Sequence, residues 1–266
     1  MIFIKKFISA IFNFRSNPHP GYIPEPSQHL IDLVGGGDYK ETGESFTHYF
    51  IEQCGIKPTD RILDMGCGFG RMAIPLTKYL TKAGYYIGLD VSKEAIEWGT
   101  AHITSLFPNF SFGLIDVWNK NYNPGGKIKG SEYKIPFGTD SFDFVFLTSV
   151  FTHMIADEME NYLSEISRVL KPKGTCLITF FLLNDDSVNC IARGESTFQF
   201  NYQIDRCKIE HIESPQDVVG YEESYIRDLM NANALRVTSI QYGSWCGRKD
   251  FLSFQDIVIL QKTPMD

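Results

Sequence analysis

Three acids, three alternating glycines and one histidine are the residues of this 266-residue chain whose types and spacing could do chemistry. Asp64 is followed by Gly66, Gly68 and Gly70 at every second position, and a helical pattern begins at Met72, Ala73 and Leu76. Glycine allows the backbone angles of a tight turn and lets a ligand approach bare main chain. The open N–H groups of the following helix start would favour an anionic group of that ligand. Asp90 and Asp116 each stand at or just after the end of an apolar run, at 85–90 and 110–115. A carboxylate at Asp90 can accept hydrogen bonds from both hydroxyls of a ribose, and one at Asp116 is placed for an exocyclic adenine amine. His153 follows the apolar run 142–147 through Thr148-Ser-Val-Phe-Thr. An imidazole there suits proton removal near neutral pH; a histidine that merely packs on or caps the next helix is the competing reading.

These residues converge only if the runs around them are strands of one sheet. Predicted strands at 61–64, 85–90, 110–115, 142–147 and 175–183 alternate with predicted helices at 92–101 and 157–170. Ser92 is the expected N-cap of the first of these helices. Alternation of this kind specifies a mostly parallel, doubly wound α/β sheet with right-handed crossovers, and ligands bind at its carboxyl edge. A helix over 221–233 and strands at 236–242 and 254–261 are expected to complete the sheet as an antiparallel hairpin. Residues 184–220 lose the pattern and read as an insertion or lid.

Before the first strand, 44–54 has helical spacing, and 33–43 reads as a glycine-rich turn that contains Tyr39. Four prolines over 17–27 suggest an extended linker. Residues 1–14 are apolar with Lys5 and Lys6 on one side, which fits a helix packed on the domain or over its site, or a membrane-surface anchor. A signal peptide fits less well, because the lysines interrupt the apolar stretch. The resulting organisation is an extension over 1–43, a cofactor-binding core over 44–183, and an insertion with the closing hairpin over 184–266.

The net charge of −7 and the lack of a dense Lys/Arg cluster disfavour a nucleic-acid partner. Six scattered cysteines show neither a disulfide framework nor zinc-ligand spacing, so a reducing, cytoplasmic setting and no metal are expected.

The glycine spacing separates two cofactor classes. Dinucleotide sites use G-x-G-x-x-G, whereas here the third glycine comes one residue early. Ile62-Leu-Asp-Met-Gly-Cys-Gly-Phe-Gly70 resembles motif I of the class I S-adenosylmethionine-dependent methyltransferases. Gly88-Leu-Asp-Val-Ser92, Ile115-Asp116-Val117, Ile135-Pro-Phe137, Ser141-Phe-Asp-Phe-Val145 and Arg168-Val-Leu-Lys-Pro-Lys-Gly174 extend the likeness over about 44–183. The resemblance implies a seven-stranded Rossmann-like fold and S-adenosyl-L-methionine as cofactor. It implies cofactor contacts from Asp64, Gly66, Cys67, Gly68, Gly70, Asp90 (ribose), Val91, Asp116 (adenine), Val117 and Thr148. The chain departs from the family where 118–133 inserts an extra loop near the adenine or the substrate entrance.

The expected reaction is methyl transfer to an oxygen or nitrogen of a small-molecule or lipid- or glycan-linked acceptor, with His153 as base. Tyr39, Asn184, Trp245 and Arg248 are the expected substrate-side residues, Tyr39 also as a cover over the cofactor. The competing readings are an NAD(P)-dependent Rossmann oxidoreductase and an S-adenosylmethionine-binding module without turnover.

Overall fold

A computed structural model describes residues 22–33 and 35–264. The predicted amphipathic segment 1–14 and the first half of the proline-rich linker lie outside the described residues. Among the described residues two helices come first, α1 (Gln28–Leu33) and α2 (Tyr39–Glu52). The second is longer than its apolar spacing suggests, because Asp38 caps it by accepting from the Glu41 N–H at 2.7 Å. Tyr39 therefore belongs to a helix rather than to the glycine turn.

The core then alternates β1 (Arg61–Met65), α3 (Ala73–Tyr79), β2 (Tyr85–Asp90), α4 (Lys93–Gly99), β3 (Phe110–Leu114), β4 (Phe142–Leu147), α5 (Ala156–Val169) and β5 (Leu170–Phe180). Ser92 is the N-cap of α4, accepting from the Ala95 N–H at 3.3 Å. After β6 (Leu182–Leu183), α6 (Asp185–Ala192), β7 (Tyr202–Ile204), β8 (Cys207–Ile209), β9 (Val219–Glu222) and α7 (Glu223–Ala232), the chain closes with β10 (Leu235–Gln241) and β11 (Asp256–Lys262).

The main sheet has seven strands in the order β10-β11-β5-β4-β1-β2-β3. β3, β2, β1, β4 and β5 run parallel, while β11 lies antiparallel to both β5 and β10. Strand order reverses between β1 and β4, so the crevice above their carboxyl ends is where such a sheet takes a ligand. The two-residue period of the strands divides the core. Ile62, Phe144, Phe146 and Leu177 pack with Phe46 and Phe50 of α2. Leu63, Val145, Leu147 and Ile178 face the other way, onto Met159, Leu163 and Ile166 of α5.

Two expectations change. Residues 184–220 are not irregular: α6 and the short strands form a second, four-stranded sheet of order β6-β9-β8-β7 on the end of β5. Its strands are only two to four residues long, too short for an alternation to register. The fifth strand also starts at once after α5. Leu170 pairs with Phe142 and Thr175 with Phe144, so Lys171–Gly174 bulges out, with Lys173 at φ 65°.

Candidate active site

The glycine loop is tied to the end of β2 by three of its backbone N–H groups. The N–H groups of Gly66 and Cys67 donate to the Leu89 carbonyl at 2.7 and 3.1 Å, and that of Gly68 donates to Asp90 Oδ2 at 2.8 Å. Gly66 (φ 83°), Gly68 (49°) and Gly70 (77°) all hold left-handed angles. A Cβ on Gly66 would also stand 2.4 Å from Val150 Cγ2. Asp90 keeps its shape by accepting from the Ser92 N–H through Oδ1 at 2.8 Å. Burial pushes its carboxyl pKa up, against the pull of those backbone donors.

Asp64 lies beneath this loop, 2% exposed, with Oδ2 accepting from the Tyr86 hydroxyl at 2.6 Å. Its Oδ1 is buried and has no partner. Burial, more than the nearby Asp90 charge, pushes the carboxyl pKa up to about 8. A buried acid with one unpaired oxygen can accept from a cationic or N–H-bearing group of a ligand.

Asp64, Gly66, Cys67, Gly68, Asp90 and Val91 line a cavity of about 720 Å³, a volume within the usual range for small-molecule sites. Thr148, Ser149, Val150 and His153 bring the end of β4 into its wall. Ser149 holds φ 58°, a strained value for a residue with a Cβ, and its N–H donates to Thr179 Oγ1 at 2.8 Å. The turn carries His153 at the end of the 3₁₀ segment Phe151–His153. Its Nδ1 lies 3.1 Å from the Gln216 carbonyl. A carbonyl only accepts, so Nδ1 carries the proton and Nε2 keeps a basic lone pair. Burial lowers the imidazole pKa, more than the Gln216 and Asp217 backbone contacts raise it.

Several sequence-predicted contacts lie elsewhere. Asp116 is exposed and outside the cavity wall, while Ile115 and Val117 line it. Beyond β3 the chain still alternates sides, which turns 116 outward; its carbonyl accepts from the N–H groups of Lys127 and Ile128 and so ties down the extra loop. Gly70 shapes the turn from behind the wall, its N–H donating to the Cys67 carbonyl at 3.0 Å. Tyr39 is buried under the loop, donating to the Phe69 carbonyl at 2.6 Å, and Gly35–Asp38 form the wall in its place.

Asn184, Trp245 and Arg248 also stand outside the wall, around buried Asp256. The Asp256 carboxylate accepts from the Leu182 and Gly243 N–H groups and from Trp245 Nε1, at 2.7, 2.7 and 2.8 Å. Arg248 donates to Asn184 Oδ1 at 3.1 Å and lies over the Tyr242 ring. These three residues hold the closing hairpin to the second sheet. The far end of that hairpin loop does reach the site, through Leu252, Ser253, Phe254 and Gln255.

Sequence reading missed Arg71, Glu158, Gln216, Asp217, Phe181 and Phe198, all in the wall. Arg71 directly follows the glycine motif, which was a usable signal. The others come from segments whose convergence depends on the second sheet. Trp118, Asn119 and Tyr122 of the extra loop also line the cavity, as its place near the substrate entrance suggests. The loop meets the insertion through Lys120 Nζ donating to the Glu213 carbonyl at 3.2 Å and Asn121 Nδ2 donating to Asp217 Oδ1 at 3.4 Å.

A family profile described as a methyltransferase domain matches residues 63–178, the segment that supplies the glycine loop, Asp90 and His153. Over this segment the chain is similar to the class I S-adenosylmethionine-dependent methyltransferases. Among its relatives, the methyltransferase GfsG of Streptomyces halstedii is 28% identical over 69% of the chain and 59% of its own length. The sterol 24-C-methyltransferase ERG6B of Gibberella zeae is 31% identical over 60% of the chain and 37% of its own. The chain thus spans well under two thirds of each of these relatives. A Burkholderia thailandensis 1,6-didemethyltoxoflavin-N1-methyltransferase, solved with its acceptor and S-adenosylhomocysteine bound, superposes with a TM-score of 0.53 at 15% identity. That alignment covers 92% of this chain and 94% of the other, and at this identity it establishes the fold. The unpartnered Asp64 Oδ1, the open glycine turn and the Asp90 carboxylate fit S-adenosylmethionine.

Proposed function

We propose that this methyltransferase moves a methyl group from S-adenosylmethionine to an oxygen or nitrogen of a small-molecule acceptor with an apolar body. One observation carries the reading: a single cavity joins the glycine loop, Asp64 and Asp90 to the basic face of His153. S-adenosylmethionine supplies a methyl group already activated on a sulfonium. The chain's residues therefore bind, orient and remove a proton. Asp64 Oδ1 would accept from the ammonium of the methionine head, and Arg71 would answer its carboxylate. Asp90 would accept from the ribose hydroxyls, and Ile115 and Val117 would pack on the adenine. Val150, Met154, Phe181, Phe198 and Phe254 form an apolar wall that holds the acceptor and excludes water. His153 takes the acceptor's proton on Nε2, with Nδ1–H held by Gln216.

The test is incubation of purified protein with methyl-labelled cofactor and a panel of ring-bearing hydroxyl and amine compounds, read by mass spectrometry. The reading expects a labelled O- or N-methyl product from the native protein and its loss in His153→Ala. Label found only on carbon, as the names of the sterol relatives would suggest, would overturn the O/N assignment.

A further inference from the structure

The ionisable residues of the cavity wall are unbalanced. Asp38, Glu41, Asp64, Asp90, Glu158 and Asp217 face it, against Arg71 as the one lysine or arginine among the described lining residues. Arg71 belongs to the cofactor end, where it donates to the Gly36 carbonyl at 2.8 Å and lies over the Tyr39 ring. Elsewhere the wall combines two carboxyls, Glu158 and Asp217, with a neutral imidazole.

These groups form one array. The Gln216 carbonyl receives His153 Nδ1–H, while its side-chain amide donates to Glu158 Oε2 at 2.8 Å. The Ile155 N–H also reaches Oε2, at 3.3 Å, so both hydrogen bonds of this carboxyl fall on one oxygen. Oε1 accepts no hydrogen bond from the described residues and lies beside Gly130 of the cavity wall. The same cavity is lined by the aromatic side chains Tyr162, Phe181, Phe198 and Phe254 and by Trp118 and Tyr122 of the extra loop. An anionic acceptor would meet repulsion from Glu158, while the nearby Lys120 charge is already answered by Asp217. A cation on an apolar ring system would meet carboxylates and aromatic faces together.

We infer that the acceptor is an alkyl amine on an aromatic or polycyclic body, taken up as its ammonium form and steered to His153 by Glu158. This rests on the methyl-transfer reading of the same cavity and narrows it to nitrogen. Burial raises the proton affinity of Glu158, and a ligand ammonium supplies the partner that its charged form lacks. The ammonium gives one proton to His153 Nε2, which frees the nitrogen lone pair. That pair forms the new C–N bond, the C–S bond breaks with its electrons going to sulfur, and a secondary ammonium leaves with neutral S-adenosylhomocysteine. The imidazolium returns its proton to water.

The experiment titrates three matched probes, 2-(2-naphthyl)ethylamine, 2-(2-naphthyl)ethanol and 2-naphthylacetic acid, into the full chain saturated with S-adenosylhomocysteine at pH 7.5. Heat or tryptophan fluorescence reports binding. The amine is expected to bind roughly tenfold tighter than the alcohol, with the acid weakest. Glu158→Gln keeps the contact to Gln216 but loses the charge, and should shrink the amine-to-alcohol ratio to about threefold or less. S-adenosylhomocysteine affinity of that variant, within about twofold of native, reports that it is folded. Equal binding of alcohol or acid, no binding of any probe to the saturated complex, or an unchanged ratio in Glu158→Gln overturns the amine assignment. Failure of S-adenosylhomocysteine itself to bind overturns the methyl-transfer reading beneath it.

Discussion

Replacing Asp64 by asparagine should stabilise the cofactor-free protein in alkaline solution and weaken its cofactor binding. The folded carboxyl holds its proton up to about pH 8, chiefly through burial, whereas in the unfolded chain it titrates near ~3.9. For an acid whose folded pKa is raised, both states are protonated below pH ~4 and no penalty exists there. Between ~4 and ~8 the unfolded chain releases the proton first, so stability falls as pH rises and levels off above ~8. The slope is at most about 1.4 kcal/mol per pH unit, giving an upper bound of several kcal/mol. Water penetration and local relaxation reduce it; we expect about 2 kcal/mol at pH 8.5. The side-chain carbonyl of the asparagine can still accept from the Tyr86 hydroxyl, so the substitution isolates the charge.

Thermal unfolding of both proteins at pH 5 and pH 8.5 measures the effect. Each kcal/mol moves the midpoint by roughly 2–4 °C in a protein of this size. The Asp64→Asn midpoint should therefore exceed the native one by about 4–8 °C at pH 8.5 and by clearly less at pH 5. Cofactor binding moves the other way. At pH 7 a group of pKa about 8 is roughly nine-tenths protonated, and pairing with an ammonium ionises it, so native protein should release close to one proton per cofactor bound. Titration in two buffers of different ionisation enthalpy detects that proton. Parallel pH–stability curves for the two proteins, or binding without proton release, would refute the reasoning.

His153→Ala should lower turnover by roughly 10²-fold or more while S-adenosylhomocysteine affinity stays within about threefold, as measured by single-turnover kinetics and calorimetry. Because burial lowers the His153 pKa, the base stays neutral in mildly acidic solution. The acid limb of the native rate profile should therefore lie below the ordinary imidazole value of ~6.5. Asp116→Ala should leave cofactor affinity within about twofold, since that side chain lies outside the cavity wall; calorimetry checks it. Asp256→Ala strands two backbone N–H groups and the Trp245 indole, and should cost about 3–5 kcal/mol in urea unfolding.

The parts of the site legible in the sequence were those written locally. Asp64, Gly66, Gly68 and Asp90 lie on one strand–turn–helix unit and the end of its neighbouring strand, and parallel pairing of β1 with β2 brings them together. His153 follows the same logic at the end of β4. Asp116 lies outside the wall because the side that a strand-end acid faces depends on where β3 ends. Trp245, Arg248 and Asn184 carry groups that suit an acceptor, yet a buried carboxylate eleven residues from Trp245 uses the indole for support. Only the tertiary pairing of β11 with β5 shows that Asp256 is buried there. Glu158 and Gln216 share a hydrogen bond across 58 residues, and neither sits in a motif.

The most direct test of the central claim is calorimetric titration of the full chain with S-adenosylhomocysteine, with NADH in parallel. The cavity account predicts one S-adenosylhomocysteine bound per chain, a clear loss of affinity in Asp64→Asn, and no heat from NADH. Saturable NADH binding with no S-adenosylhomocysteine binding would contradict it.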